Sequence, residues 1–336
     1  MRLHIRSPHQ RSCVPSNNFK GLFVGSGSDG LGQPCFADAI IDLTGKVAKA
    51  ITVLYLGTAT YDRPENRLKQ TSLLSERGCR IISLDVTSKS PSIIQMINVI
   101  EDADVILASG GNTLFACDRW KRLGLDKLLR DAMLRGTVLT GGSAGAICWF
   151  DGGHSDSMDP DSYKTAMLSG EKDVVGDESS AMPENEDDAK TWEYIRVDSL
   201  SFLPGLVCPH HDITQSNGIP RSRDFDEMML RHSSETGIGI DHWAGLEING
   251  DRYRVVSAKG KEGSVMSKTK AFSPDRKGIP GVWIKKVVNG QVHSTLCPES
   301  GFVDDLLSFP ATITKDERMY LCRKENPDDG PMPQYY

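Results

Sequence analysis

The stretch Gly136-Thr-Val-Leu-Thr-Gly-Gly-Ser143-Ala-Gly-Ala-Ile-Cys-Trp-Phe150 constrains this chain more than any other. Val138, Leu139 and their neighbours read as a short buried strand, and 146–150 as the first turns of a helix. Between them, Ser143 is surrounded by Gly141, Gly142 and Gly145. A serine on a sharp strand-to-helix turn needs small neighbours, because its own backbone is strained and the adjacent chain passes close by. Such a turn pushes the hydroxyl into the open and aims the free N–H groups of the helix start at whatever the hydroxyl attacks. Gly141-x-Ser143-x-Gly145 therefore has the nucleophile-elbow pattern in the strand-turn-helix setting that its mechanism demands. In a chain with 32 glycines the pattern alone also fits a glycine-rich turn with an incidental serine, so the rest of the chain has to decide.

From residue 21 the chain alternates between apolar strands and helical segments. Strands read at 21–25, 51–57, 79–84 and 104–108, and helices over 35–43, 65–77 and 92–101. One or two more helices run to residue 135, which makes the elbow strand the fifth. Strands separated by helices predict an α/β fold of three layers, a parallel sheet covered by helices on both faces. Ligands in such sheets bind outside the carboxyl ends of the strands. Gly111 and Asn112 follow the fourth strand and Ser143 the fifth, so they share that edge, and a strand at 205–208 delivers Pro209-His210-His211-Asp212 to it. Beyond it, 221–231 reads as a helix and 237–241 as a strand. Residues 246–248 and 253–256 pair around Asn249-Gly-Asp, and a hairpin turns at Asn289-Gly290.

The catalytic domain predicted from this pattern is 21–259. Residues 1–20 hold Arg2, Arg6, Arg11 and Lys20 and no acid, but Pro8 and Pro15 interrupt any amphipathic targeting helix, so a disordered extension is expected. Residues 159–190 are rich in acids, serines and prolines and read as an acidic surface insertion. Residues 260–336 read as a β-containing C-terminal appendage without visible chemistry. A net charge of −6 with no basic stripe argues against a nucleic-acid or membrane surface. No apolar run approaches the ~20 residues that span a bilayer. The eight cysteines include no C-x-x-C pair, and Cys148 and Cys208 sit in apolar segments. They read as reduced thiols of a cytoplasmic protein, and no zinc site is suggested. Gly25-Ser-Gly27-Ser-Asp-Gly30 matches a dinucleotide loop, yet the second strand ends at Gly57-Thr58 with no acid for a ribose, and Pro34 delays the helix. These glycines serve equally well as a close-approach loop beside the active edge.

Ser109-Gly-Gly-Asn-Thr113, Gly142-Ser-Ala-Gly-Ala146 and Cys208-Pro-His-His-Asp212, in that order, resemble the peptidase E family. This branch of serine peptidases includes aspartyl dipeptidases and cyanophycinases, on a flavodoxin-like fold similar to class I glutamine amidotransferases. The resemblance covers 21–257. It implies Ser143 as nucleophile, His210 as its base, an acid that orients the imidazole, and an oxyanion hole from the backbone N–H groups of Gly111 and Ala144. The chemistry agrees, since a serine hydroxyl needs a proton acceptor and the imidazole needs a partner on its other nitrogen. The developing oxyanion needs fixed donors.

Asn112 is expected to contact the substrate. His211 reads as a wall residue, and His154, His232 and His242 as exposed or structural. Asp156 lies where aspartyl dipeptidases place their acid, with Asp241, Asp212 and Asp151 still open. Cyanophycinase-like relatives use a Glu one residue beyond an aspartate resembling Asp241, where this chain has His242. Aspartyl dipeptidases hold the substrate's acidic residue with an arginine after the histidine, a place for Arg221 or Arg223. The enzyme implied cleaves short peptides, with N-terminal aspartate the favoured case, without metal or organic cofactor. Its expected partners are the peptide and at most a second copy of the chain in a homodimer, with neither nucleic acid nor membrane. An α/β-hydrolase-type esterase and a non-catalytic binding module on the same fold are the alternatives.

Overall fold

The computed structural model describes residues 18–159, 192–264 and 278–307. Five parallel strands form the centre: β1 (Lys20–Val24), β2 (Thr52–Leu56), β3 (Arg80–Ser83), β4 (Val105–Ala108) and β5 (Val138–Gly142). Their order is β1-β5-β4-β2-β3. Every strand residue of β2 and β4 is buried, and neighbours along the chain enter opposite cores, as the period of two requires. Val53, Tyr55, Val105 and Leu107 join Phe36, Ile40 and Leu74 of α2 (Pro34–Thr44) and α3 (Pro64–Glu76). Leu54, Leu56, Ile106 and Ala108 face Met96, Trp120 and Leu129 of α4 (Ile93–Glu101), α5 (Thr113–Leu123) and α6 (Leu125–Leu134).

The helix ends follow local chemistry. Ser92 and Gln95 close a capping box at the start of α4. Gly124, at φ 71°, ends α5 in the left-handed conformation. A short helix α1 (Ser28–Leu31) follows the glycine loop after β1.

Three features depart from the sequence expectation. The helix after Ser143, α7, spans only Ala144–Ile147, and the chain re-enters extended structure as β6 (Phe150–Ser155). β6 then belongs to a second sheet, of six strands, with β7 (Ile195–Asp198), β8 (Leu203–Cys208) and β9 (Gly237–Ile240). Helix α8 (Arg221–Arg231) covers this sheet through Phe225, Met228 and Met229.

Third, the C-terminal β region is woven into both sheets. The hairpin of β12 (Val282–Val288) and β13 (Gln291–Leu296) pairs antiparallel with β9. Strand β10 (Ala244–Asn249) extends the first sheet antiparallel to β1, β11 (Arg252–Ser257) pairs antiparallel with β10, and β14 (Ser300–Phe302) adds to β11 before helix α9 (Val303–Leu307). The apolar faces of β12 and of this helix supply that pairing with core contacts, since Val282, Ile284, Val303 and Leu306 all enter the main core. The acidic insertion falls almost wholly outside the described residues, as does the N-terminal extension up to residue 17. Phe19, placed in that extension from sequence, is buried against the core.

Candidate active site

Four loops meet at the carboxyl edge. Ser143 sits between β5 and α7 at φ 57°, ψ −122°, far from the small left-handed well that a non-glycine residue tolerates. Close packing enforces this, for a Cβ on Gly145 would lie 2.1 Å from the Ala108 carbonyl oxygen. The Ser143 N–H donates to the Val24 carbonyl (3.1 Å). His210, two residues past β8, also has positive φ (49°), and its N–H donates to the next carbonyl, that of Gly25 (2.9 Å). The nucleophile and base predicted from sequence thus hang from consecutive carbonyls of one strand end. A third loop closes beside them: a Cβ on Gly110 would lie 3.5 Å from Ser143 Cβ, and Gly111 is held at φ 107°.

The glycine loop after β1 ties these parts together. Gly25 N–H donates to the Ala244 carbonyl (2.8 Å) and Ser26 Oγ to the His242 carbonyl (2.6 Å). A Cβ on Gly25 would come within 1.9 Å of the Asp241 carbonyl oxygen, so the close approach needs glycine. Residues 241–243 are where the chain leaves the second sheet after β9 and enters the first at β10.

The polar surroundings of His210 differ from the expected triad. Its Nδ1 lies 2.8 Å from Nδ1 of His242, whose Nε2 lies 3.1 Å from Oδ2 of Asp29. None of the four candidate acids hydrogen-bonds the His210 ring. Asp156 instead accepts from Gln215 Nε2 (3.0 Å) and Arg221 Nη1 (3.2 Å). Burial works to raise its pKa, but the Arg221 guanidinium and the Gln215 amide outweigh it and hold the carboxyl below the ordinary range. Asp241 accepts from the N–H groups of Ser264 and Gly281 (both 2.9 Å) and from Ser264 Oγ (2.5 Å), and it faces His211 Nδ1 at 3.4 Å. Asp212 accepts from the His242 N–H (2.7 Å), and burial, then Asp241, pushes its pKa up to about 6. Asp151 accepts from the Gly205 N–H (3.3 Å). Asp156 reaches His210 only through its field. Burial, the neighbouring His242 and Arg221 hold the His210 imidazole well below its usual pKa, with Asp156 acting the other way. At neutral pH the ring is therefore the neutral imidazole, with one donor and one acceptor nitrogen.

Two expected substrate contacts are engaged inside the protein. Asn112, 2% exposed, caps α5 by accepting from Phe115 N–H (2.9 Å) and donates to the Ser157 carbonyl (3.2 Å). Arg221, wholly buried, donates to Asp156, to Gln215 Oε1 (2.6 Å) and to the His154 carbonyl (2.7 Å). Arg223 on the same helix is exposed. Sequence reasoning missed the contact of His242 and Asp29 behind His210. The available signals were the position of His242 one residue past Asp241 and the acid inside the glycine loop.

A parallel α/β sheet that presents a serine elbow opposite a histidine is a hydrolase scaffold, and the comparisons with known proteins narrow it. Residues 22–172 match Peptidase family S51. The chain is 29% identical over 170 residues to the uncharacterized peptidase YgaJ of Bacillus subtilis (strain 168), covering 50% of this chain and 58% of that protein. It is 32% identical over 310 residues to a Trypanosoma brucei brucei protein named G2/mitotic-specific cyclin-1, covering 87% of this chain and 88% of that one. The crystal structure of a peptidase from an acI-B1 Actinobacterium shares the fold, with a TM-score of 0.53 at 17% identity over 85% of this chain and 98% of that one. Residues 22–172 thus belong to Peptidase family S51, the peptidase E family.

Proposed function

We propose that the protein is a serine-type peptidase that hydrolyses short peptides through an acyl-enzyme on Ser143. The observation that carries this reading is the suspension of Ser143 and His210 from the consecutive carbonyls of Val24 and Gly25. His210, neutral at pH 7, takes the hydroxyl proton as Oγ attacks the scissile carbonyl, and later gives it to the leaving amine. The N–H groups of Gly111 and Ala144 receive the oxyanion. Ala144 opens a helix and has no acceptor within it, and Gly111 lies on the loop packed against the elbow. With Arg221 enclosed, the exposed Arg223 is the residue we assign to the side-chain carboxylate of an N-terminal aspartate, which a guanidinium grips with two parallel bonds.

A fluorophosphonate probe followed by peptide mass mapping tests the nucleophile: adduct is expected on Ser143 alone, and a protein left unlabelled at Ser143 sinks the reading. Digestion of a dipeptide library then tests specificity. Aspartyl dipeptides should disappear first, and Arg223→Ala should remove that preference by raising KM.

A further inference from the structure

We infer that His242 and Asp29 form a positioning relay behind His210, in which the base is oriented by a second imidazole backed by a carboxylate. The inference rests on Ser143 and His210 as nucleophile and base, and it deepens that reading by naming what fixes the base's tautomer. A carboxylate only accepts hydrogen bonds. Asp29 Oδ2, 3.1 Å from His242 Nε2, therefore requires the proton on that nitrogen. With its one ring proton on Nε2, His242 presents a lone pair on Nδ1, aimed at His210 Nδ1 across 2.8 Å. Two lone pairs cannot face each other at that distance, so His210 carries its proton on Nδ1. Its Nε2 is bare, the tautomer that accepts a proton from Ser143 Oγ. The opposite assignment would set the His242 Nε2 lone pair against the Asp29 carboxylate.

The relay balances through the reaction. As the Ser143 Oγ–carbon bond forms, the Oγ proton moves to His210 Nε2. The imidazolium is held by its Nδ1–H bond to His242, whose own Nε2–H stays on Asp29. When the amine leaves, the same proton passes to its nitrogen and the relay returns to its starting state. The backbone fixes His242 from both sides, since its carbonyl accepts from Ser26 Oγ and its N–H donates to Asp212. Trp243 packs edge-on against the ring at 4.5 Å between centroids. The charged groups around the imidazole pair are Asp29 from α1, Asp212 after β8, Asp156 after β6, Arg221 from α8 and Asp241 at the end of β9. None of them is exchanged in the variants of His242, so a change in pH profile reports the substituted ring.

The test is the rate at which the full chain reacts with a fluorophosphonate, measured from pH 5 to 9, because phosphonylation needs the same deprotonation of Ser143 and no known substrate. His242→Ala is expected to slow labelling by about 100-fold or more, since loss of an orienting partner favours the wrong tautomer. His242→Glu restores an acceptor to His210 Nδ1–H, so labelling should stay within about tenfold of wild type. Its acid limb should move to higher pH, because a carboxylate favours the imidazolium. A residue with a merely structural role would give neither the rescue nor the shift. Asp29→Ala, at a side chain 62% exposed, removes the acceptor of His242 Nε2–H and should slow labelling by about tenfold. Wild-type labelling at Ser143 with His242→Ala and Asp29→Ala each within about threefold of it overturns the relay and leaves the nucleophile standing. Failure of the wild type to label overturns the nucleophile, and the relay with it.

Discussion

The two sheets contribute to one site in different ways. The first supplies Ser143 and Gly111 on turns whose shape is set by backbone contact, with neighbouring carbonyls so close that Gly25 and Gly145 admit no side chain. The second supplies His210, His242 and Asp156 on loops whose arrangement depends on side-chain bonds between distant parts of the chain, such as Asp156 to Arg221 and His242 to Asp29. A nucleophile needs one fixed conformation, which covalent geometry and sterics can impose locally. A base needs a tuned proton affinity, which only assembled surroundings can provide.

Ser143→Ala should abolish peptide turnover, a loss on the order of 10⁴-fold or more, with an unchanged circular dichroism spectrum. Residual turnover near wild type would show that the first sheet does not hold the nucleophile. The next largest effect tests whether Asp156 serves the chemistry or the scaffold. Asp156→Asn leaves the wholly buried Arg221 without its carboxylate, which should cost about 3 kcal/mol or more in a denaturant titration. Its kcat should fall by less than about tenfold, or 1.4 kcal/mol of barrier. A kcat loss of several orders with normal stability would return Asp156 to the role of orienting acid.

On the first-sheet side, Gly145→Ala must push a methyl into the Ala108 carbonyl, so about 2–3 kcal/mol of stability and most labelling at Ser143 should be lost together. A variant that melts like wild type would mean the elbow has more freedom than its contacts indicate. The smallest effect concerns the second sheet's titrating groups. His154 is wholly buried, and burial outweighs its 2.7 Å contact with Asp224, holding its pKa at about 4. The native state thus binds this proton less readily than the unfolded chain. Stability is full above the ordinary imidazole value and declines as pH falls from there toward 4, by about 2 kcal/mol between pH 7 and 5. His154→Gln, which keeps a donor for Asp224, should flatten that part of the pH–stability curve. An unaltered slope would assign the decline to other groups.

The same division explains what the sequence could reveal. The strands at β1, β2, β4 and β5, the elbow glycines and the hairpin at Asn289-Gly290 all follow from local periodicity and turn chemistry, and they stand where those rules put them. The short reach of α7 was not legible, because Cys148-Trp149-Phe150 is as apolar in a buried strand as in a buried helix. The second sheet was hidden for a related reason. Periodicity marks a strand but not its partners, and β6, β8 and β9 join β12 from far along the chain. Asp156 has the position of an orienting acid in sequence. Its commitment to Arg221 depends on the packing of α8 against β6, which no spacing encodes.

The pairing of β12 with β9 also sets an order in time. Asp241, immediately before His242, takes its carboxylate bonds from Ser264 and Gly281, and Asp241 N–H donates to the Gly281 carbonyl at 3.1 Å. A chain leaving the ribosome completes its parallel sheet and its serine elbow long before these residues emerge, since domains assemble from the N-terminal side during synthesis. The His210 side of the site can lock only when β12 arrives. Ribosome-stalled chains ending before residue 278 should therefore be folded around β1–β5 yet unreactive toward a fluorophosphonate, and chains extended past residue 307 reactive. A hydrolase built this way stays silent while it is being made.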